Sequence, residues 1–262
     1  MNSRIAVAYF AFNRPECVQL TLPKIKKNNN AKESTLWLFI DGPRNQSDKK
    51  EIEKVCEAIK KMNLDNYFYK VNVIKRNKNL GLKESIKSGI TNVFKFHDKV
   101  IVFEDDHYVH QNTIEYMSDC LNFFQDNQSI GAITASCPLR NVPKNYTKDF
   151  FVSYRNCSHV WGTWSDRWSL VDWQPSNNSI YLDEGKKKLF MKTGKDRLNR
   201  LKRALNGSSN SWSILFGLAM VNNKKLTIYP TFNMVKNIGF GKNATNTVSG
   251  DSNNNEINFK KY

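Results

Sequence analysis

The chain has 262 residues, 40% of them hydrophobic and 24% charged, a globular composition long enough for one large α/β domain. No segment is long and apolar enough to span a membrane, no signal peptide is evident, and five scattered cysteines without a CxxC pair fit reduced thiols, so a cytoplasmic protein is expected. A formal charge of +16 calls for an anionic partner, either nucleic acid, a nucleotide diphosphate or an anionic membrane surface, and without zinc-finger spacing or an RNP-type motif nucleic acid rests on charge alone.

In chain order, Ile5 to Phe10 reads as a strand, and Asn13, Arg14 and Pro15 as a turn with Pro15 set for the first turn of a helix. Thr35 to Ile40 is a second strand ending at Asp41 and Gly42. Ile52, Val55, Ile59 and Met62 then recur at helical spacing. A third strand is expected around Tyr67 to Ile74, then a polar loop with Asn77, Asn79 and Gly81, then a helix carrying Leu82, Ile86, Ile90 and Val93 on one face. Val100 to Phe103 is a continuous apolar run, the mark of a strand buried on both faces, and it ends in Glu104, Asp105 and Asp106. Strand and helix in this rhythm predict a mostly parallel sheet flanked by helices, a Rossmann-like α/β fold.

Ligands of such sheets bind beyond the carboxyl ends of the strands, where Asn13, Arg14, Asp41, Asn79, Gly81 and the acidic triplet gather. Taken singly, Asn13, Gly42 and Asn79 are ordinary turn residues; together they outline one crevice. Three adjacent carboxyl groups repel one another unless a cation sits among them, and oxygen ligands of this kind suit Mg²⁺ or Mn²⁺. His107 and His110 lack a thiol or imidazole fourth ligand for zinc and are expected on the polar surface.

Residues 1–136 thus form the expected binding half and 137–262 a second half. Ile114, Met117, Leu121 and Phe124 predict a helix, and Ile130 to Ala135 and Phe150 to Tyr154 two strands. Trp161, Gly162, Trp164 and Trp168 form a dense aromatic stretch that either closes a core or makes a platform for a flat ligand such as a sugar ring. From Asp183 to Arg203 nine Lys and Arg residues surround Leu198, Leu201 and Leu205, so the 183–205 segment reads as a basic amphipathic helix, lying on anionic lipid or simply solvated. A helix over Ser211 to Asn222 and a strand near Leu226 to Tyr229 precede a Gly- and Asn-rich tail, Asn237 to Asn255, expected to be mobile.

The fragments Ala11-Phe12-Asn13-Arg14-Pro15, Phe39-Ile40-Asp41-Gly42, Asn77 to Leu82 and Glu104-Asp105-Asp106 resemble, in order and spacing, those of GT-A fold nucleotide-sugar glycosyltransferases. The resemblance is to N-acetylglucosaminyltransferase I-like enzymes and to bacterial family 2 enzymes of surface polysaccharide synthesis, lipopolysaccharide and capsule among them; Trp161-Gly162-Thr163-Trp164 and Asn237 to Gly241 also look like the bacterial enzymes. It implies a metal-dependent hexosyl- or N-acetylhexosaminyl-type transferase moving a sugar from a UDP-type donor to a hydroxyl of a glycan or lipid-linked oligosaccharide, with a peripheral place on the inner membrane face compatible with such an acceptor. Arg14 would contact the diphosphate, Asp41 the base, Glu104 and Asp105 the donor pocket, and Asp106 the Mn²⁺ or Mg²⁺. Two positions depart from the pattern. The late helix begins Asn210-Ser211-Trp212-Ser213 with no acid to serve as base, and Asn246 stands where relatives often carry a metal-reaching His. Asp166 and Asp172, beside the tryptophans, are the substitute base candidates. The missing base leaves open a degenerate protein that binds nucleotide-sugar or glycan without turnover.

Overall fold

The structure, a computed structural model, describes residues 4–139, 142–175 and 184–239. Its first half alternates as the sequence predicts: β1 (Ala6–Ala11), α1 (Pro15–Lys26), β2 (Thr35–Ile40), α2 (Gln46–Lys60), β3 (Lys70–Lys75), α3 (Gly81–Val93) and β4 (Lys99–Glu104). β1 and β2 are buried at every position and β4 at all but Glu104, which is why their side chains form unbroken apolar runs instead of alternating. α1 opens with Pro15, whose missing N–H costs nothing there, and α2 is capped by the Asn45 side chain, which accepts from the Asp48 N–H at 2.9 Å.

The second half adds β5 (His107–Val109), α4 (Thr113–Phe123), β6 (Ile130–Thr134), β7 (Phe150–Ser153), β8 (Trp161–Trp164), α5 (Ser165–Trp168), α6 (Glu184–Lys192), α7 (Arg197–Leu205), α8 (Trp212–Asn222), β9 (Leu226–Pro230) and β10 (Val235–Asn237). Eight strands form one sheet in the order β3-β2-β1-β4-β8-β6-β9-β7, and β10 pairs antiparallel with β5 as a separate ribbon. Within the large sheet β8 and β7 run against their neighbours and the other strands are parallel. One apolar layer lies under α1, α2 and α4; the other holds Ile86, Ile90, Trp161, Trp212 and Phe216 beneath α3 and α8.

The aromatic stretch is β8 itself, in the middle of the sheet. Trp161 is 1% exposed and stacks on Trp212 at 4.7 Å and Trp168 at 5.8 Å. Trp164 is 2% exposed and donates from Nε1 to the Leu121 carbonyl at 3.0 Å. At Gly162 a Cβ would meet the Val100 carbonyl at 2.9 Å, so the residue lets β4 and β8 approach under α4. These three residues close a core and leave no exposed ring face for a sugar, which corrects the platform expected of Trp161, Gly162 and Trp164. The basic segment is corrected as well: two helices, α6 and α7, stand where one was expected, broken at Thr193 to Asp196. Their apolar residues Phe190 and Leu201 are buried in the layer with α8, so that face is not available to lipid. Asp183 and the tail from residue 240 onward lie outside the described residues.

Candidate functional site

Because β1, β2, β3 and β4 are parallel, the residues after each of them meet on one rim of the sheet. Arg14, three residues past β1, reaches across to the acidic turn after β4. Its guanidinium forms an ion pair with the Asp105 carboxylate and donates from Nη1 to Asp106 Oδ2 at 3.1 Å. Asp105 is held from behind as well, because its carbonyl accepts from the Thr21 hydroxyl at 3.0 Å, which in turn lies 2.8 Å from the Tyr9 hydroxyl.

The electrostatics of this cluster follow from its burial. Burial pushes Glu104 up to about 8, helped by the neighbouring charges of Asp106 and Asp105. Burial also pushes Asp105 up to about 6, with Arg14 opposing it. For Asp106 burial acts upward too, but His107 and Arg14 outweigh it and leave the carboxyl below its ordinary value. Arg14 loses from burial and gains more from Asp105 and Asp106, so it stays charged. The result is a graded set: Asp106 ionised, Asp105 paired, and Glu104 protonated more readily than either.

His107 is 1% exposed, which corrects its expected place on the polar surface. Its Nδ1 accepts the Glu104 N–H at 3.0 Å, so the neutral ring carries its proton on Nε2, 3.7 Å from Asp106 Oδ1. Burial pulls its pKa down to about 3, so the ring is neutral at neutral pH and brings charge beside Asp106 only in acid, where that carboxyl itself titrates. The ring of His159, at the entry to β8, lies 5.6 Å from it. His110 is tied through its backbone to Met234 and Asn28. Over this group folds the end of β10: the Ile238 N–H donates to the Asp106 carbonyl at 2.9 Å, and a Cβ on Gly239 would strike Asp106 Oδ2.

Farther along the rim, Asp41 is a buried carboxylate whose oxygens are taken up within the protein. It accepts from the N–H groups of Gly42, Leu80 and Gly81 and from the Asn79 side chain at 3.1 Å, which ties the end of β2 to the loop before α3. Asn13 donates to Asp48 at 2.7 Å, and Asp48, also gripped by Arg44, falls to about 2 chiefly through the Arg44 hydrogen bond. Asn13, Arg14, Asp41, Asn79, Gly81, Glu104, Asp105 and Asp106 are therefore brought to one rim.

The sequence matches no family model and no curated protein. Among solved structures, S. aureus TarS, a glycosyltransferase of GT-A type, aligns with 90% of this chain and 36% of its own at 14% identity and a TM-score of 0.50. The fragment TarS 1–349 aligns with 90% of this chain and 59% of its own at 12% identity and 0.50, and the same fragment in complex with UDP at 15% identity and 0.49. This chain thus spans between about a third and three fifths of those chains. The chain has a GT-A fold. At such identities the likeness establishes the fold and leaves the chemistry to the residues.

On the GT-A rim, the fit to a divalent ion rests on one atom. Asp106 Oδ1 is buried and has no hydrogen-bond partner among the described residues, while Oδ2 and the Asp105 carboxylate are occupied by Arg14. No group of three ligating side chains occurs among the described residues. Mg²⁺ and Mn²⁺ sites completed by substrate phosphates and water need only one or two protein carboxylates, so this donor set fits an ion held by Asp106 and the substrate together.

Two expected site residues lie elsewhere in the GT-A frame. β8 is antiparallel to β4, with Trp164 beside Lys99, and the Ser165 N–H donates to the Asp98 carbonyl. Asp166 therefore sits at the amino end of β4, a six-residue strand of roughly 17 Å away from the acidic turn. There it pairs with Arg167 at 2.8 Å. Asp172 caps its own turn through the Gln174 N–H and lines a small cleft with Leu218 and Asn222, at the carboxyl end of α8. Neither can approach an acceptor hydroxyl at the rim, which corrects both as base candidates. Sequence reading also missed His159, half-buried beside His107, and the buried arginine of α7, since nothing local marks either.

Proposed function

We propose that the protein is a glycosyltransferase that moves a sugar from a nucleotide diphosphate donor, of UDP type, to a hydroxyl of a glycan or lipid-linked oligosaccharide. The observation that carries this reading is the meeting of Arg14, Asp105 and Asp106 at the carboxyl ends of β1 and β4, with Asp106 Oδ1 buried, 3.7 Å from His107 Nε2 and without a hydrogen bond among the described residues. A nucleoside placed over β1 and β2 has Asn13 and the loop held by Asp41 and Asn79 beside it, which directs its diphosphate toward Arg14. Arg14 keeps its charge in the cleft and supplies a planar fork suited to phosphate oxygens. Asp106 would hold Mn²⁺ or Mg²⁺ through Oδ1. When bound, that ion supplies Lewis-acid neutralisation of the charge that grows on the departing nucleotide diphosphate. Glu104 and Asp105 shape the donor-sugar side, where a protonated Glu104 can donate to a sugar oxygen without adding negative charge.

A second reading, a nucleotide-sugar or glycan binder without turnover, is favoured by the placement of Asp166 and Asp172 at the wrong end of the sheet. The test of the first is a thermal-shift screen of nucleotide-sugars with and without Mn²⁺, followed by product assay. A donor that stabilises the protein more with Mn²⁺, and is hydrolysed or transferred, supports the enzyme. Donor binding without product selects the binder. An Asp106→Asn variant that keeps full Mn²⁺-dependent donor stabilisation overturns the metal assignment.

A further inference from the structure

We propose that Arg155, Arg197 and Arg200, gathered beside the start of α8, form a phosphate subsite for an anionic acceptor; calling the ligand an acceptor rests on the glycosyltransferase reading, whereas the subsite does not. Arg197 is 1% exposed, and its guanidinium lies over the Phe190 ring, 5.4 Å from its centre, with no ion pair among the described residues. Nη2 donates to the Asn156 amide oxygen at 2.6 Å, and Nε is buried with no partner among the described residues. The one carboxylate near it among the described residues is Asp196, which is already paired with Arg155 at 2.8 Å and lies 3.6 Å from Arg200. Two of the three guanidinium groups thus share this carboxylate, and Arg197 is paired with none among the described residues. An interior charge left in this state is costly unless an anion joins it.

The surroundings are built for oxygen ligands. Arg200 Nη2 lies 3.5 Å from both the Ser211 and the Ser213 hydroxyl. Ser211 is the N-cap of α8 and makes no capping hydrogen bond among the described residues, and the first turn carries no acid, so nothing there offsets the positive end of the helix dipole. Asn156, which holds Arg197, also donates to the Ser213 carbonyl at 2.9 Å. A Cβ at Gly217 would strike Arg197 Nη2, so the helix keeps the space that the guanidinium fills. Burial first, then the neighbouring charges of Arg155 and Arg200, pull Arg197 down to about 10, a value that still leaves it charged at neutral pH.

Contacts run from this cluster to the donor rim. The His159 ring faces His107, which borders Asp106, and the His159 N–H lies 3.4 Å from Cys157 Sγ, one residue after Asn156. The subsite therefore lies beyond the His107 and His159 side of the rim, away from Asn13 and Asp41, where the glycosyltransferase reading puts the acceptor. Phosphate is the group that the forked geometry of arginine and a helix amino end both favour.

The test is titration of the full chain with inorganic phosphate, followed by calorimetry and ³¹P line widths at low ionic strength, with and without saturating UDP and Mn²⁺. Saturable binding is expected, retained when UDP is bound, weakened about tenfold or more in Arg200→Gln and partly restored in Arg200→Lys. Glucuronate in place of phosphate should bind more weakly than phosphate. Phosphate affinity unchanged in both Arg200→Gln and Arg197→Gln would show that these arginines only pack α7 on α8, and displacement of phosphate by UDP would place it in the donor site; either overturns the subsite. UDP binding measured in parallel keeps the two readings apart. Phosphate binding that depends on Arg200 in a protein that does not bind UDP upholds the subsite while the donor assignment falls.

Discussion

Replacing Arg14 by Met isolates the electrostatics of the rim. Its guanidinium joins two carboxylates whose side chains are 3% and 12% exposed, and is itself 16% exposed, so solvent screens the contacts little. Removing one partner of such a buried set leaves the others uncompensated, at a cost of about 3–5 kcal/mol. For a chain of this size that corresponds to a fall in Tm of roughly 10 °C. Differential scanning fluorimetry at pH 7.5 measures it directly. If the loss comes from unpaired charge, the double variant with Asp105→Asn recovers a large part of it, and added Mn²⁺ stabilises Arg14→Met more than the parent because a cation can take the vacated position. An Arg14→Met protein that melts within about 2 °C of the parent, or is not rescued by Asp105→Asn, refutes the coupling of Arg14 to the two aspartates.

Three further outcomes are expected. Trp161→Ala should lose about 3–5 kcal/mol in urea unfolding, because the ring is a core element stacked on Trp168 and Trp212; a stable variant with weakened sugar binding would restore the platform. Asp48 is held at about 2 by Arg44 and Asn13, below its value in the unfolded chain, so its contribution to stability is present above pH about 4 and is lost as pH falls through about 2. Melts of Asp48→Asn across that window should slope less steeply than those of the parent. Asp166→Asn should leave donor turnover unchanged, since the side chain pairs with Arg167 at the far end of β4; a fall of tenfold or more in product formation would return it to the reaction.

The parallel half of the fold was legible because β1, β2 and β4 are buried on both faces. Thr35 to Ile40 and Val100 to Phe103 carry β-branched, aromatic and aliphatic residues without interruption, a pattern that leaves little choice of structure. The gathering of Arg14, Asp41 and Asp106 followed from the same logic, since parallel strands deliver their last residues to a single edge. What was hidden depended on partners distant in the chain. β5 and β10 are three residues each, too short for any periodicity, and only their pairing, Asn237 beside His107, explains why a histidine in a polar stretch is interior. Trp161 to Trp164 betrayed its aromatic density but not its reversed direction, and that direction decides the fate of Asp166. In α7 the regular spacing of basic residues concealed Arg197, which points inward where its neighbours meet solvent.

The reversed course of β8 has a consequence for how specificity can vary. Its two neighbours, β4 and β6, both finish at the ligand edge, but β8 begins there, so the connection from Tyr154 to Val160 arrives at the cleft before the strand is laid down. Changes of length or chemistry in that incoming connection can reshape the opening without shifting the alignment of any strand, because Trp161 opposite Thr134 and Val102 locks the sheet immediately after it. Selection can therefore alter what enters from that side while the parallel half stays as it is.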